Sequence, residues 1–481
     1  EIQERTAYNS FNYSPVFDEE HRIVGFPEMD GIDGSEINYN ALGGTGKSVS
    51  KMSSFFANAS YSYLDKYILT GALRYDGSDI IGNDNQFTPL WNVGLRWNLH
   101  REEFMKRWMW VDQFAVRGGF GYTGSIDKNA LPFVVMTLGQ SVVYDGQTVP
   151  TSFSYPNPNV KWQTKQDMNV GLDLSLFDYR LELGVNYYHN ITRDVLDRKA
   201  LPYSSGRNEV TENVADIYNS GWEIDLGVTL LKNKSFQWYA KANIAINDNK
   251  VKNTYYKDTK DLPKATLSNA HQFVENQPVN GWYGYKFAGI NPINGAVMTY
   301  TGNGEATLDM SVSGATWPTP SVFYLGNLTP PVVGGFSTSA NWKQLIFSAN
   351  FEFKTGHKIK SFNTFRSLDA RNRHTSEANR WREPGDITNV PAMSEAFTTY
   401  SSYMYDILLE KGNYLRCSYM TLGYNLKPEW LHKIGFSTAR LSFTAKNLFT
   451  ISSYSGIDPA LMGSFGYPNS RKYTITLNVG F

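Results

Sequence analysis

A single cysteine, Cys417, occurs in 481 residues. One cysteine excludes an internal disulfide and a cysteine-built zinc site. Net charge is lacking too, because 45 Lys and Arg balance 45 Asp and Glu. That balance argues against general binding of nucleic acid, which needs a surplus of cations. No apolar run approaches the roughly 18 residues of a membrane-crossing helix. The opening "EIQERTAYNSFN" has no apolar core of a secretory signal. Catalytic signatures are scarce as well. There is no Gly-x-Ser-x-Gly elbow, and the seven histidines (His21, His100, His189, His271, His357, His374, His432) never pair at metal-ligand spacing. "ALGGTGKS" (41–48) fails as a phosphate loop because Ala41 stands at the leading glycine position and no helical pattern follows.

What is present is aromatic. The chain holds 31 Tyr, 28 Phe and 12 Trp, so rings reach 15% while all hydrophobic residues reach only 41%. Large amphipathic rings suit water–lipid boundaries and the faces of carbohydrates.

Alternation of period two recurs along most of the chain. Met168, Val170, Leu172, Leu174 and Leu176 interleave with Asp167, Asn169, Gly171, Asp173 and Ser175. Trp222, Ile224, Leu226 and Val228 interleave with Glu223, Asp225 and Gly227. The closing "YTITLNVGF" sets Tyr473, Ile475, Leu477, Val479 and Phe481 against Thr474, Thr476, Asn478 and Gly480. Such runs are about ten residues long, the length of a tilted strand crossing a bilayer. Strands of soluble sheets are shorter, about five or six residues.

Thirteen strands are expected, near 51–63, 67–76, 89–100, 113–122, 166–177, 179–190, 221–231, 236–250, 332–342, 344–354, 413–426, 438–449 and 473–481. Some connections are short ("LDK", "FDY", "KNKS", "KQ"), whereas those near 123–165, 191–220, 251–331, 355–411 and 450–472 are long. Short turns on the periplasmic side and long loops outside mark an outer-membrane barrel. The expected fold is therefore an all-β transmembrane antiparallel barrel, with 13–14 strands in this chain. Residues 1–50 are read as an extracellular loop with one candidate strand at 1–9, and 51–481 as barrel. An odd count cannot close an antiparallel series, and an open edge in lipid costs several kcal/mol per unpaired group. The expectation is a C-terminal barrel portion that works with earlier strands.

Several stretches resemble the SusC/RagA-type TonB-dependent outer-membrane transporters of Bacteroidota. They are "SYLDKYILTGALRYDGSDIIG" (62–82), "FAVRGGFGYTGS" (114–125), "NPNVKWQTKQDMNVGLDLSLFDYRLELGVNYYHNITRDVL" (157–196), "NSGWEIDL" (219–226), "YGYKFAGINPINGAV" (283–297), "RWREPGDITNVPAM" (380–393), "GNYLRCSYMTLGYNL" (412–426) and "ARLSFTAKNLFTISSYSGIDPAL" (439–461). Asn291 stands where the family carries Asp. The resemblance implies a 22-stranded barrel of which this is the C-terminal part, with the plug domain absent from this chain. It implies import of oligosaccharides or peptides, a SusD-like surface lipoprotein as lid, and TonB acting through the missing N-terminal part. No enzyme activity is implied. A terminal aromatic strand resembles the barrel-assembly signal, here Tyr473 and Phe481, and makes Phe481 the expected C-terminus.

The loop rings Trp282, Tyr283, Tyr285, Trp317, Trp381, Tyr400 and Tyr403 are the candidate substrate contacts; Tyr324 and Tyr405 belong to the same group. Packing of loops against one another is the alternative for each ring. Asp76, Asp79 and Asp84 in "DGSDIIGNDN" carry oxygens that suit calcium, though Asp, Asn and Gly are also ordinary turn residues. Competing functions are a passive docking barrel for lipoproteins or enzymes and a self-contained 14-stranded pore.

Overall fold

Long period-two runs become long strands because each can bury or wet one face completely. The computed structural model describes residues 16–17, 23–25, 51–79, 81, 86–126, 136–144, 147–153, 161–201, 204, 209–255, 257–259, 273–308, 321–361, 378–392, 405–431, 435–462 and 466–481. Thirteen strands form one path. They are β1 (Met52–Tyr63), β2 (Tyr67–Ser78), β3 (Phe87–Asn98), β4 (Val111–Ser125), β5 (Gln163–Leu176), β6 (Leu181–Ala200) and β7 (Glu209–Lys232), then β8 (Phe236–Lys252), β9 (Val332–Trp342), β10 (Leu345–Thr355), β11 (Tyr414–Asn425), β12 (Thr438–Lys446) and β13 (Lys472–Gly480). Each neighbours the next in sequence order, and Thr450–Ser452 adds a fourteenth piece beside β11. Every expected strand is present. Among the described residues, β1 and β13 are the two ends of this path and do not pair with each other.

The register separates two faces. Asp173, Gly184, Asp225, Asn243, Gly335, Glu352 and Arg416 are successive cross-strand partners from β5 to β11. Partners share a face, so this row is polar or bare throughout. One residue along, Leu174, Leu183, Leu226, Ala242, Phe336, Phe351 and Cys417 form an apolar row. Phe336 and Phe351 stack within it, with ring centroids 4.5 Å apart.

One expected connection is shorter than its reading. Residues 191–200 and 209–220 continue the β6–β7 hairpin to the pair Ala200–Glu209. The register shifts between Thr192 and Leu196, and Asp194 takes a left-handed φ of 55°. Such a bulge breaks the period of two, and in "TRDVLDRK" the two apolar residues, Val195 and Leu196, are adjacent rather than alternate. The sequence pattern therefore fades before the strand does.

Two compact units divide the chain. The first comprises Glu1–Asn58, Ala72–Trp91 and Gly124–Trp162, and the second Ala59–Gly71, Asn92–Thr123 and Gln163–Phe481. The first contains the hairpin of Met136–Tyr144 with Gln147–Phe153, and its Trp162 indole donates to the Gln86 carbonyl at 3.1 Å. It also holds the strand pair Val16–Phe17 and Ile23–Gly25. The candidate strand at 1–9 and the glycine-rich 41–48 lie outside the described residues.

Candidate functional site: the loop assembly and the polar face

The long connections of the second unit build small sheets of their own. Gly281–Gly284 pairs with Phe323–Asn327, and Phe287–Ile290, Val297–Tyr300 and Ala306–Leu308 form a three-stranded sheet. Lys358–Lys360 pairs with Leu409–Lys411. A buried cluster joins them, centred on Tyr283, Tyr285, Ile290, Val297, Val390 and Tyr405. Tyr285 and Tyr405 are shielded almost completely from solvent, and their rings lie 6.0 Å apart.

Of the loop rings, Tyr283 and Tyr285 are buried in this cluster. Trp282 is half-buried, and its indole donates to the Lys358 carbonyl at 2.8 Å. Trp381 packs against the same cluster and donates to the Pro292 carbonyl at 3.0 Å. Trp317, Tyr400 and Tyr403 lie outside the described residues. Burial raises the pKa of the Tyr283 hydroxyl, helped by nearby Tyr324, and burial pushes Tyr324 up to about 12. Both phenols are neutral at physiological pH, and the Tyr324 hydroxyl donates to Asn327. The Tyr283 hydroxyl has no hydrogen-bond partner among the described residues.

A cavity of about 520 Å³ opens between these loops and the ends of β7 and β8. Asn219, Asn247, Asn249, Asn276, Asn280 and Asn327 line it. Part of this amide set is structural. Asn249 donates to Asn219 at 2.6 Å and accepts from the Val279 amide at 2.7 Å, which fastens the loop to β8. Asn247 accepts from the Tyr188 hydroxyl at 2.8 Å. The charged residues at its edge, Asp248 and Lys250, pair with each other at 2.8 Å. The cavity thus offers uncharged amides, with Tyr324, Pro278 and Pro331 as flat faces. Sequence reading missed it because its asparagines come from four separate segments.

Deeper on the polar face, the Arg96 guanidinium meets the Asp173 carboxylate at 2.8 Å, and Arg117 approaches the same carboxylate at 3.5 Å. A Cβ at Gly171 would strike Arg117 at 2.8 Å, so that glycine lets the arginine lie flat along the wall. Near the start of β11, Arg416 is buried against Asp458, which also accepts from the Ala460 amide at 2.9 Å and the Asn469 amide at 3.2 Å. Burial alone would raise the Asp458 pKa, but these amides and Arg416 outweigh it and hold the carboxyl below its usual range.

Of the calcium candidates, Asp76 is buried against Arg74 at 2.5 Å, and Asp79 accepts from the Lys51 amide at 3.0 Å. Asp84 lies outside the described residues, and no cluster of three or more metal-binding side chains occurs among those described. Tyr473 is exposed on β13 and stacks on Phe443 at 6.2 Å; Phe481 is exposed and meets Phe436 edge-on at 5.1 Å.

The family model "TonB dependent receptor-like, beta-barrel" matches residues 3–351. TonB-dependent receptor P3 of Formosa agariphila is 29% identical over 465 residues, covering 89% of this chain and 45% of that protein. TonB-dependent receptor SusC of Bacteroides thetaiotaomicron is 23% identical over 453 residues, covering 89% of this chain and 43% of that protein. The structure of the RagAB peptide transporter aligns with a TM-score of 0.73 at 24% identity, covering 92% of this chain and 49% of that one. The chain spans about half the length of the curated relatives it matches.

Proposed function

Because the chain belongs to the TonB-dependent receptor-like β-barrel family, we propose that it is the C-terminal wall of a SusC-like importer. It is an outer-membrane β-barrel protein and not an enzyme. In the proposed assembly, an N-terminal part supplies a plug and the remaining strands of a 22-stranded barrel. TonB drives movement of the plug through that part, and a SusD-like lipoprotein closes the extracellular mouth. Oligosaccharides or peptides are the proposed cargo. The observation that carries the reading is the family match to a path of long antiparallel strands with one polar and one apolar face. The uncharged, amide-lined cavity supports a neutral polar cargo, since each amide offers both a donor and an acceptor.

Uptake of labelled oligosaccharides and peptides by cells with and without the TonB system tests this. Uptake should vanish without TonB. Retained binding with no TonB-dependent uptake would favour the docking barrel instead. Ion conductance by this chain refolded alone would favour the self-contained pore. Intact-mass analysis of the complex purified from the membrane should reveal the N-terminal part and the lipoprotein. Calcium at Asp76, Asp79 and Asp84 is a subsidiary proposal, which requires a chelator to lower the melting temperature. Recognition of Tyr473 and Phe481 by the assembly machinery is a further one, tested by membrane insertion of a Phe481→Ser variant.

A further inference from the structure

The connection between β3 and β4, residues 99–110, is the longest fully described one at the short-turn end of the sheet and contains the short 3-10 helices Leu99–Arg101 and Glu103–Arg107. Its direction is set by Glu102. That carboxylate accepts from the Tyr67 hydroxyl at 2.7 Å, Lys66 Nζ at 2.9 Å and the Trp97 indole at 3.1 Å. Trp97 is adjacent to Arg96, which points to Asp173 on the polar face. Successive residues of a strand face opposite ways, so Trp97 and the stacked Tyr67 stand on the apolar, lipid-facing side. The segment therefore leans outward against the lipid face rather than under the lumen.

Having turned outward, the segment buries Met105, half-buries Leu99 and exposes the rest of its apolar residues. Met109 is 91% exposed, Phe104 57%, Trp108 50% and Trp110 48%. Trp108 stacks on Trp110 at 6.2 Å, and Trp110 stacks on Phe177 of the next short turn at 5.7 Å. Lys106 and Arg107 lie among them, both exposed, with Lys106 paired to Glu103 at 2.8 Å. Stacked indoles, an exposed methionine and cations on one outward-leaning segment match the headgroup zone of a bilayer. In water, the same apolar cluster would be an aggregation liability.

We propose that residues 103–110 are an interfacial anchor, seated in the phospholipid leaflet on the short-turn side and continuous with the lipid-facing wall. Trp108, Met109 and Trp110 enter the acyl boundary, while Arg107 meets lipid phosphates. Glu102 is a positioning residue that ties the anchor to Tyr67 and Trp97.

The test uses the protein as purified from the outer membrane, with Cys417→Ala and any other cysteine replaced. A spin label is placed at Met109→Cys, with Lys234→Cys in the short turn between β7 and β8 as control. The protein is reconstituted in bilayers of phosphatidylethanolamine and phosphatidylglycerol. The label at 109 should be relaxed several-fold more by oxygen than by a water-soluble nickel reagent, with the order reversed at 234. Adding Trp108→Ala and Trp110→Ala should raise nickel accessibility at 109 while heat-modifiable migration of the folded barrel persists. A label at 109 as water-accessible as that at 234 would overturn the proposal. So would a label shielded from both reagents in detergent and bilayer alike, which would mark a protein partner instead.

Discussion

Arg96 reaches the Asp173 carboxylate across 2.8 Å although 77 positions separate them in sequence. Asp173 and Asp225 in turn share Gly184 as their cross-strand partner, which puts both carboxylates on one face. Leu174 and Leu226 share Leu183 on the other. These pairings give the wall an inside and an outside, and the two sides should answer differently to the same substitution.

An arginine on the lipid face must be held in hydrocarbon. Leu226→Arg should cost about 2–4 kcal/mol at mid-membrane. Asp225→Arg faces water and loses only a loose pairing with Lys241 at 3.8 Å, worth at most about 1 kcal/mol for exposed groups. Folded, heat-modifiable protein recovered from membranes should fall sharply for the first and little for the second. Equal losses would invert the assignment of faces.

Acid should loosen the short-turn end through Glu102. Donation from the Tyr67 hydroxyl first, then from Lys66 and Trp97, pulls its pKa from 4.5 down to about 2. A depressed carboxylate stabilises the fold above its unfolded pKa, and that contribution is lost as pH falls through the folded value. The thermal midpoint should therefore decline between pH 4.5 and pH 2, and Glu102→Gln should flatten that part of the profile. An unchanged slope in Glu102→Gln would remove Glu102 from the acid response.

The wall was legible in sequence and the loops were not, for physical reasons. Leu172 to Leu176 and Trp222 to Val228 carry a two-sided environment in every alternate residue, so periodicity alone reports it. Beyond Thr192 a bulge shifts the register and the apolar Val195 and Leu196 stand side by side, so the alternation that would reveal a strand is broken. Tyr283 and Tyr285 stand out in sequence as loop rings, but composition cannot say whether a ring faces ligand or core. The side chains of Asn219, Asn249 and Asn327 meet only in three dimensions.

The tyrosine cluster should behave as a core. Tyr405→Ala empties a fully buried site, and truncating a large aromatic costs roughly 3–5 kcal/mol. The damage should stay local. Residues 281–300 should become sensitive to protease while the wall keeps its heat-modifiable migration. Wall and loops failing together would mean that the small sheets are needed for the barrel to form.

Arg416 and Asp458 should be inseparable partners. Both are buried, and Asp458 also holds the amides of Ala460 and Asn469. Removing one partner of a buried pair costs up to about 3–5 kcal/mol, and without Asp458 the Arg416 guanidinium keeps only the longer pairing with Glu352 at 3.7 Å among the described carboxylates. Asp458→Ala should expose the connection after Thr450 to proteolysis. Adding Arg416→Met should restore part of the protection, since the stranded guanidinium is then gone. No recovery in the double variant would show that the Ala460 and Asn469 contacts, rather than the ion pair, hold that loop.

The asparagine-lined cavity offers the most direct access to function. Most of its amides also tie loop to wall, as Asn249 does with Val279, so deleting them would confound binding with folding. Filling the cavity avoids that. Val279 lines it and lends only its backbone amide to the network, so Val279→Trp adds bulk while leaving the polar partners in place. If cargo passes through this space, half-saturation of TonB-dependent uptake should rise by about tenfold, corresponding to roughly 1.4 kcal/mol, with folded protein in the membrane unchanged. Asn219→Asp should discriminate by charge, weakening acidic cargo more than neutral cargo because it adds a carboxylate to a cavity whose flanking Asp248 and Lys250 already neutralise each other. Uptake indifferent to both substitutions would place the route elsewhere along the polar face and leave the cavity a structural seam between loop and strand.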